Sequence, residues 1–152
     1  MAIDTDNLVN DFVLNTKAIF DENMRSLNIR EVFTDDVLII PVVPSLAISC
    51  IGFFPNRITV GRTQARYQFD FVGELWYYHS NISPDVYRNL VMARAYKISK
   101  HILENATLNG WLTAKQAIVR SCSWAPRLRS GDLLASARII LLASYNTQIT
   151  SS

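Results

Sequence analysis

Apolar residues recur at helical spacing in two stretches of the chain. The first is residues 5–27, where Asp11 lies near the start and favours the positive end of a helix. The second begins at residues 83–85, which supply a capping serine, a proline suited to the first turn and an acid. It ends in the turn-forming residues 105–110. The pattern therefore predicts two amphipathic helices. The residues predicted to face the core from the second helix are Val86, Leu90, Val91, Ala95, Ile98, Ile102 and Leu103.

Alternation of apolar and polar positions predicts strands in two further regions. Residues 64–79 alternate around Gly73, an isolated glycine that indicates a bulge or the close approach of another element. Residues 117–124 and 133–145 have the pattern of the two arms of a hairpin. The small polar residues 148–152 are expected to fray.

The uncharged run 37–56 is long enough to span a bilayer as a helix. Pro41 and Pro44 argue against a helix, because each removes a helical hydrogen bond and pushes the preceding residue toward extended geometry. We therefore expect an extended segment near 37–43, followed by a buried strand near 46–53.

The predicted elements follow the order α-β-β-(β)-α-β-β. Two helices among strands without β-α-β alternation indicate an α+β fold, in which two helices pack on a mainly antiparallel sheet. The length of 152 residues suits one domain, spanning residues 1–152.

The composition adds a shortage of charge to this picture. Only 18% of the residues are charged, against about 25% in an average soluble domain, whereas 49% are hydrophobic. Because so few charges are available to cover the surface, part of it is expected to be hidden against a partner.

Residues 1–36 hold eight acids and three bases, and residues 37–152 hold five acids and twelve bases. The asymmetry would suit head-to-tail contact between copies, although solvated faces of opposite sign are at least as common.

The sequence contains no recognisable catalytic or ligand-binding pattern. Cys50 and Cys122 lie in apolar runs and are expected to be buried, reduced thiols. His79 and His101 lack the spacing of a zinc site and the context of a hydrolase. The five glycines are isolated, which excludes a glycine-rich phosphate loop. We therefore expect no enzymatic activity, no cofactor and no metal.

Two groups of side chains are candidates for contact with partners. Trp76 and Tyr78 face away from Tyr77 on one strand, so either the second helix or a second subunit must cover them. Phe53 and Phe54, at the end of the preceding strand, likewise need to be covered by another part of the chain or by a second subunit. The candidate subunit interface is Phe53, Phe54, Trp76 and Tyr78. The candidate basic residues are Arg57, Arg62, Arg66, Arg127 and Arg129. These arginines either protect strand edges or contact nucleic acid beside aromatic rings.

These elements resemble the small α+β proteins at the neck and tail end of tailed bacteriophages, and the closest match is the tail terminator (tail completion) family. The features that carry the resemblance are the acidic helix 5–27, the proline-interrupted apolar strand 37–54, the aromatic strand ending Glu74-Leu75-Trp76-Tyr77-Tyr78, the helix opened by Ser83-Pro84-Asp85 and the terminal hairpin through Ile139-Ile140-Leu141-Leu142. Together they cover most of the chain.

The resemblance implies a structural protein of the virion, assembled in the host cytoplasm and without an active site. Such a protein forms a ring, expected to be a hexamer, that terminates the tail tube and joins it to the head connector. Its partners would be its own copies, the tail tube protein and a head connector or neck protein. DNA would pass through the lumen, where basic loops such as Arg127 and Arg129 could make non-specific contact with it.

Other classes of function stay open from the sequence. A head-closure or connector completion protein has a similar architecture. A small soluble α+β enzyme or ligand-binding domain would instead hold its site in a pocket beside a perturbed His79 or His101. A membrane-active protein would use residues 37–56.

Overall fold

The computed structural model describes residues 5–60, 64–80 and 84–150, and side chains within 8–55, 66–80 and 86–147. These residues contain two helices and six strands, which confirms the α+β class. The helices are α1 (Thr5–Asp21) and α2 (Arg88–Glu104). The strands are β1 (Glu31–Phe33), β2 (Ser45–Val60), β3 (Gln64–Ser80), β4 (Ile118–Trp124), β5 (Arg127–Arg129) and β6 (Asp132–Thr150).

The strands form a mostly antiparallel sheet in the order β1-β2-β3-β6-β4, and β5 pairs with β6. The predicted strand 64–79 is confirmed as β3, and the predicted terminal hairpin is confirmed as β4 and β6. β1 runs parallel to β2 through three residue pairs, from Glu31↔Ser45 to Phe33↔Ala47. Three residues are too few to give an alternating pattern, so the sequence does not predict this strand.

The central strands are much longer than the usual five or six residues. β2, β3 and β6 have 16, 17 and 19 residues, and β3 lies between the other two. Pairing continues to Val60↔Ala65 on one side of β3 and to Gln64↔Thr150 on the other. β6 is therefore paired through Thr150, contrary to the expected fraying from residue 148, because β3 supplies partners for its backbone. Residues 151 and 152 lie outside the described part of the chain.

The pairing of three strands continues past Phe69 at one end of the sheet. Phe69 is the last residue of β3 described as buried in this direction. The pairing from there to Gln64 covers roughly 17 Å at the usual rise of a strand. We call residues 56–60, 64–68 and 146–150 the strand extension.

α1 crosses one face of the sheet through Phe12, whose ring stacks on Phe71 with centroids 5.2 Å apart. Gly73 makes this contact possible, because a Cβ at that position would lie 2.8 Å from Phe12 Cζ. The close approach predicted at Gly73 is therefore confirmed.

α1 is shorter than the helical spacing of residues 5–27 predicts. The helix ends at Asp21, and turns occupy the residues that follow. Met24 and Leu27 still pack against the core from these turns, which explains why the apolar pattern continues past the helix. Asn28 then takes a left-handed φ of 58° and ends the helical course of the chain.

α2 packs on the same face of the sheet and is preceded by a 3₁₀ turn, Pro84–Tyr87. Its buried residues are Val91, Ala95, Ile98 and Ile102. The predicted core positions Val86, Leu90 and Leu103 are exposed instead, because only one narrow stripe of the helix meets the sheet and Val86 belongs to the preceding turn. The predicted cap Ser83 lies outside the described residues.

The uncharged run 37–56 forms no helix, as its two prolines indicate. Residues 37–44 form a loop with bends where the sequence predicts an extended segment, and most of β2 follows, beginning at Ser45. No helix in the described part of the chain is long and apolar enough to cross a membrane.

Candidate interaction surfaces

The sheet face away from the helices carries a second apolar cluster around Trp76 and Tyr78. The buried members are Ile40, Ala47, Trp76, Tyr78 and Leu134. Trp76 is 8% exposed and Tyr78 is 0% exposed. Ile40 and the partly buried Val43 come from residues 34–44, which we call the cover loop.

The expectation that α2 or a second subunit covers Trp76 and Tyr78 is wrong. The cover loop and β5 belong to the same chain and already enclose both rings. Trp76 and Tyr78 therefore leave too little surface for the subunit interface to which the sequence assigns them.

Asp36 fastens the cover loop to the sheet and to β5. Its carboxylate accepts hydrogen bonds from the Tyr78 hydroxyl at 2.8 Å, from Arg129 Nη2 at 2.8 Å and from Arg127 Nη1. The Arg127 guanidinium also lies 4.1 Å from the centroid of the Trp76 ring, a cation–π distance. Burial and the hydrogen bond to Asp36 raise the pKa of Tyr78 to about 12, so the phenol stays a donor at neutral pH.

The structure changes the role predicted for the basic residues. Arg127 and Arg129 both bind the Asp36 carboxylate, so their charges are neutralised within the fold and are less available for the DNA contact predicted for them. Arg66 is exposed on the strand extension, ten residues along β3 from Trp76, which is a separation of roughly 33 Å. The Arg57 side chain and Arg62 lie outside the described residues. Among the described side chains, Arg66 therefore does not share one continuous surface with Arg127 and Arg129.

Further hydrogen bonds attach the cover loop to the turn between β5 and β6. The Ser130 N–H donates to the Leu38 carbonyl at 2.8 Å, and the Ser130 hydroxyl accepts from the Ile40 N–H at 2.7 Å. Leu38 and Ile39 are held on the surface beside Leu128, around a cavity of about 470 Å³.

We call this exposed apolar surface the loop patch. Its members are Leu38, Ile39, Leu128 and Leu133. Leu128 and Leu133 are register partners in the β5–β6 hairpin, and all four side chains are at least half exposed. The loop patch is therefore an apolar surface on a segment that hydrogen bonds hold in place.

A second apolar surface lies on the part of the sheet that neither helices nor cover loop reach. We call it the open face, and its members are Phe54, Val72, Ile118 and Leu142. The last three are register partners on β3, β4 and β6, so they form one row. Phe54 continues the row across Gly52, where a Cβ would lie 3.2 Å from Val72 Cβ and 3.3 Å from Phe54 Cε2. Phe54 is 57% exposed and Ile118 is 53% exposed.

Partnered polar groups frame the open face on both sides. Arg138 pairs with Glu74 at 2.6 Å, and Glu74 also accepts the Trp76 indole N–H at 2.6 Å. On the other side, Asp70 accepts the Ser144 hydroxyl at 2.7 Å and the Gln68 amide at 2.8 Å. An apolar centre with a satisfied polar rim is the usual anatomy of a protein–protein contact.

Of the predicted interface residues, only Phe54 is available to a partner. Phe53 is half-buried on the helix side, where its ring stacks on Phe69 with centroids 5.3 Å apart. The sequence does not predict that Ile118 and the loop patch are exposed, because an apolar residue at a strand or loop position has the same pattern whether its side is covered or open.

The two histidines contact different groups in the described structure. His79 Nδ1 lies 3.1 Å from Arg94 Nη1, and burial together with the Arg94 charge lowers the pKa of His79. His101 Nε2 contacts the Ile19 carbonyl and so joins α2 to α1. Among the described residues, neither ring makes a hydrogen bond to a carboxylate, a thiol or a serine hydroxyl.

The cysteines are half-buried free thiols, and burial raises the pKa of both Cys50 and Cys122. A raised pKa keeps a thiol protonated and unreactive at neutral pH. Among the described residues, no group of three or more His, Cys, Asp and Glu side chains is arranged to hold a metal ion.

No protein-family model matches this chain, and no curated protein matches it either. The functional conclusion therefore depends on the surfaces described above.

Proposed function

We propose that this protein is a structural assembly subunit that forms a closed ring of identical copies. The observation that carries the proposal is the open face, where Phe54 and Ile118 expose more than half of their surface in a row across the sheet. Apolar surface in water costs about 25 cal/mol per Å², so a neighbouring subunit on this face would be stabilising.

The loop patch supplies a second apolar surface that differs from the first. Leu133 and Leu142 both lie on β6, nine residues and therefore roughly 30 Å apart. A contact between the open face of one copy and the loop patch of the next would be heterologous. Such a contact repeats from copy to copy and makes a ring when its rotation closes.

The resemblance of the elements supports a specific ring, the tail terminator of a tailed bacteriophage. In that role the ring would end the tail tube in the virion and join it to the head connector. The strand extension would contact the tube or the connector, because its strands continue roughly 17 Å beyond Phe69. Arg66, exposed on the extension, would be available for non-specific contact with DNA in the lumen.

The mass of the purified protein in solution tests this proposal. Light scattering after size exclusion should give a multiple of 17.2 kDa, with six copies expected, and the ring should bind the ends of isolated tail tubes. A ring that binds head connectors but not tubes would favour the head-closure role instead. A strictly monomeric protein that binds neither partner would overturn the proposal.

The substitution Ile118→Asp tests the open face directly. A carboxylate at the β4 end of this apolar row should leave the protein monomeric, because burying an unpaired charge costs several kcal/mol. Asn89→Asp is the matched control, since it also adds one negative charge at an exposed position, but on α2, which packs on the opposite face of the sheet. Loss of assembly in both variants, or in neither, would contradict the role of the open face.

A further inference from the structure

A cavity of about 400 Å³ lies between the turns after α1, the end of the cover loop and α2. Its lining includes three arginines and three apolar residues: Arg25, Arg30, Arg94, Met24, Ile29 and Pro44. This volume falls within the usual range of small-ligand sites.

None of the three arginines pairs with a carboxylate among the described residues. The ion pairs there involve other side chains. Arg25 and Arg30 are exposed, whereas Arg94 is half-buried. A partly buried cation beside two further cations is unfavourable, and a bound anion would offset both the desolvation and the repulsion.

Arg94 is held in place by neutral groups alone. Its Nη1 lies 3.1 Å from His79 Nδ1 and 3.4 Å from the Tyr77 hydroxyl, which itself donates to the Asn28 carbonyl at 3.2 Å. Arg94 Nε and Nη2 make no hydrogen bond to the described residues. One edge of the guanidinium is therefore positioned, and the remaining donors are free for an oxyanion.

We propose that this cavity is a phosphate-binding site, with Arg94 as the fixed donor and Arg25 and Arg30 as the exposed donors that close around the anion. A planar guanidinium binds a phosphate through two parallel hydrogen bonds. The three positive charges are enough to neutralise a phosphate ester, which carries between one and two negative charges near neutral pH. Met24, Ile29 and Pro44 would contact the organic part of the ester. The phosphate could belong to a free phosphate ester or to a nucleic-acid backbone. The site does not depend on ring formation.

Isothermal titration of the full-length protein with inorganic phosphate, at constant ionic strength, tests the site. Arg94→Gln should weaken binding by about tenfold or more, because it removes a charge-assisted pair of hydrogen bonds. Lys97→Gln is the matched control, since Lys97 is an exposed cation on the same helix and outside the cavity. The control should change the affinity by less than about twofold. Circular dichroism and thermal unfolding establish that each variant is folded.

Arg30→Gln keeps the test decisive if Arg94→Gln fails to fold, because Arg30 is exposed and supports no described side-chain contact. It should weaken phosphate binding about threefold. The proposal is overturned if the wild-type protein does not bind phosphate, or if Lys97→Gln weakens binding as much as the cavity variants do.

Two further titrations distinguish the source of the phosphate. Glycerol 3-phosphate represents a free phosphate ester, and a twelve-nucleotide DNA strand without terminal phosphates represents the backbone. The true source is the ligand whose affinity falls selectively in Arg94→Gln. Equal loss in Arg94→Gln and Lys97→Gln for every ligand would mean a diffuse charge effect and would overturn the site. A monomeric protein that passes these tests would keep the phosphate site while losing the ring.

Discussion

Asp36 binds two arginines that lie 91 and 93 residues further along the chain. The sequence predicts that Trp76 and Tyr78 face away from Tyr77 and need a cover, since alternation along a strand fixes the side of each residue. It does not predict what covers them. An acid at the edge of an uncharged run and two arginines in a distant hairpin have no shared periodicity, so only the fold brings them together.

We expect Asp36→Asn to lower the free energy of unfolding by about 2–3 kcal/mol. The amide can still accept a hydrogen bond, but Arg127 and the largely buried Arg129 lose the charge that neutralises them. Urea unfolding measures the change. Asp35→Asn is the control, because Asp35 is exposed and forms no ion pair in the described structure, and its effect should stay within about 0.5 kcal/mol. Equal effects of the two substitutions would show that Asp36 acts only through net charge.

At the scale of the elements, the sequence predicts what repeats along the chain and fails where the chain is irregular. The period of a helix and the alternation of a strand identify α1, α2 and β3, and the prolines of residues 37–56 exclude a helix. The cover loop is aperiodic, and its position depends on Asp36 and Ser130 contacts across the fold. The sequence predicts only part of the role of Gly73, because an isolated glycine in a strand indicates a close approach but not which element approaches.

We expect Gly73→Ala to destabilise the fold by about 2 kcal/mol, because its Cβ would lie 2.8 Å from Phe12 Cζ and would push α1 off the sheet. Phe12→Leu removes the ring and costs stability by itself. In the double variant the smaller side chain makes room for the new methyl group. The double variant should therefore lose less stability than the sum of the two single losses. We expect a coupling of about 1 kcal/mol in a double-mutant cycle of thermal unfolding. Additive costs would mean that Phe12 is not the group that Gly73 accommodates.

At the scale of the whole molecule, the low fraction of charged residues is accompanied by two exposed apolar surfaces, the open face and the loop patch. The sequence indicates hidden apolar surface and locates it at Trp76, but the chain itself covers Trp76 with the cover loop. The same loop exposes Leu38 and Ile39, and it leaves the rest of that sheet face uncovered. Sequence patterns give the side of a strand and not the area that another segment covers, so the open face could be located only in three dimensions.

A mixing experiment tests whether the open face and the loop patch meet each other. Ile118→Asp leaves the loop patch intact, and Leu128→Asp leaves the open face intact. If the contact is heterologous, each variant alone should be monomeric, since every junction needs one surface of each kind. Mixed in equal amounts, they should form a dimer and nothing larger, because only one junction of the pair has two intact surfaces. Native mass spectrometry would detect that dimer near twice 17.2 kDa.

The alternative arrangements give different masses in the same mixture. If each surface contacts its own kind, Ile118→Asp alone would still pair through its loop patches and Leu128→Asp alone through its open faces. If only one of the two surfaces makes the contact between subunits, the variant that keeps this surface would assemble fully without the other variant. A mixture that stays monomeric would mean that the two surfaces do not meet.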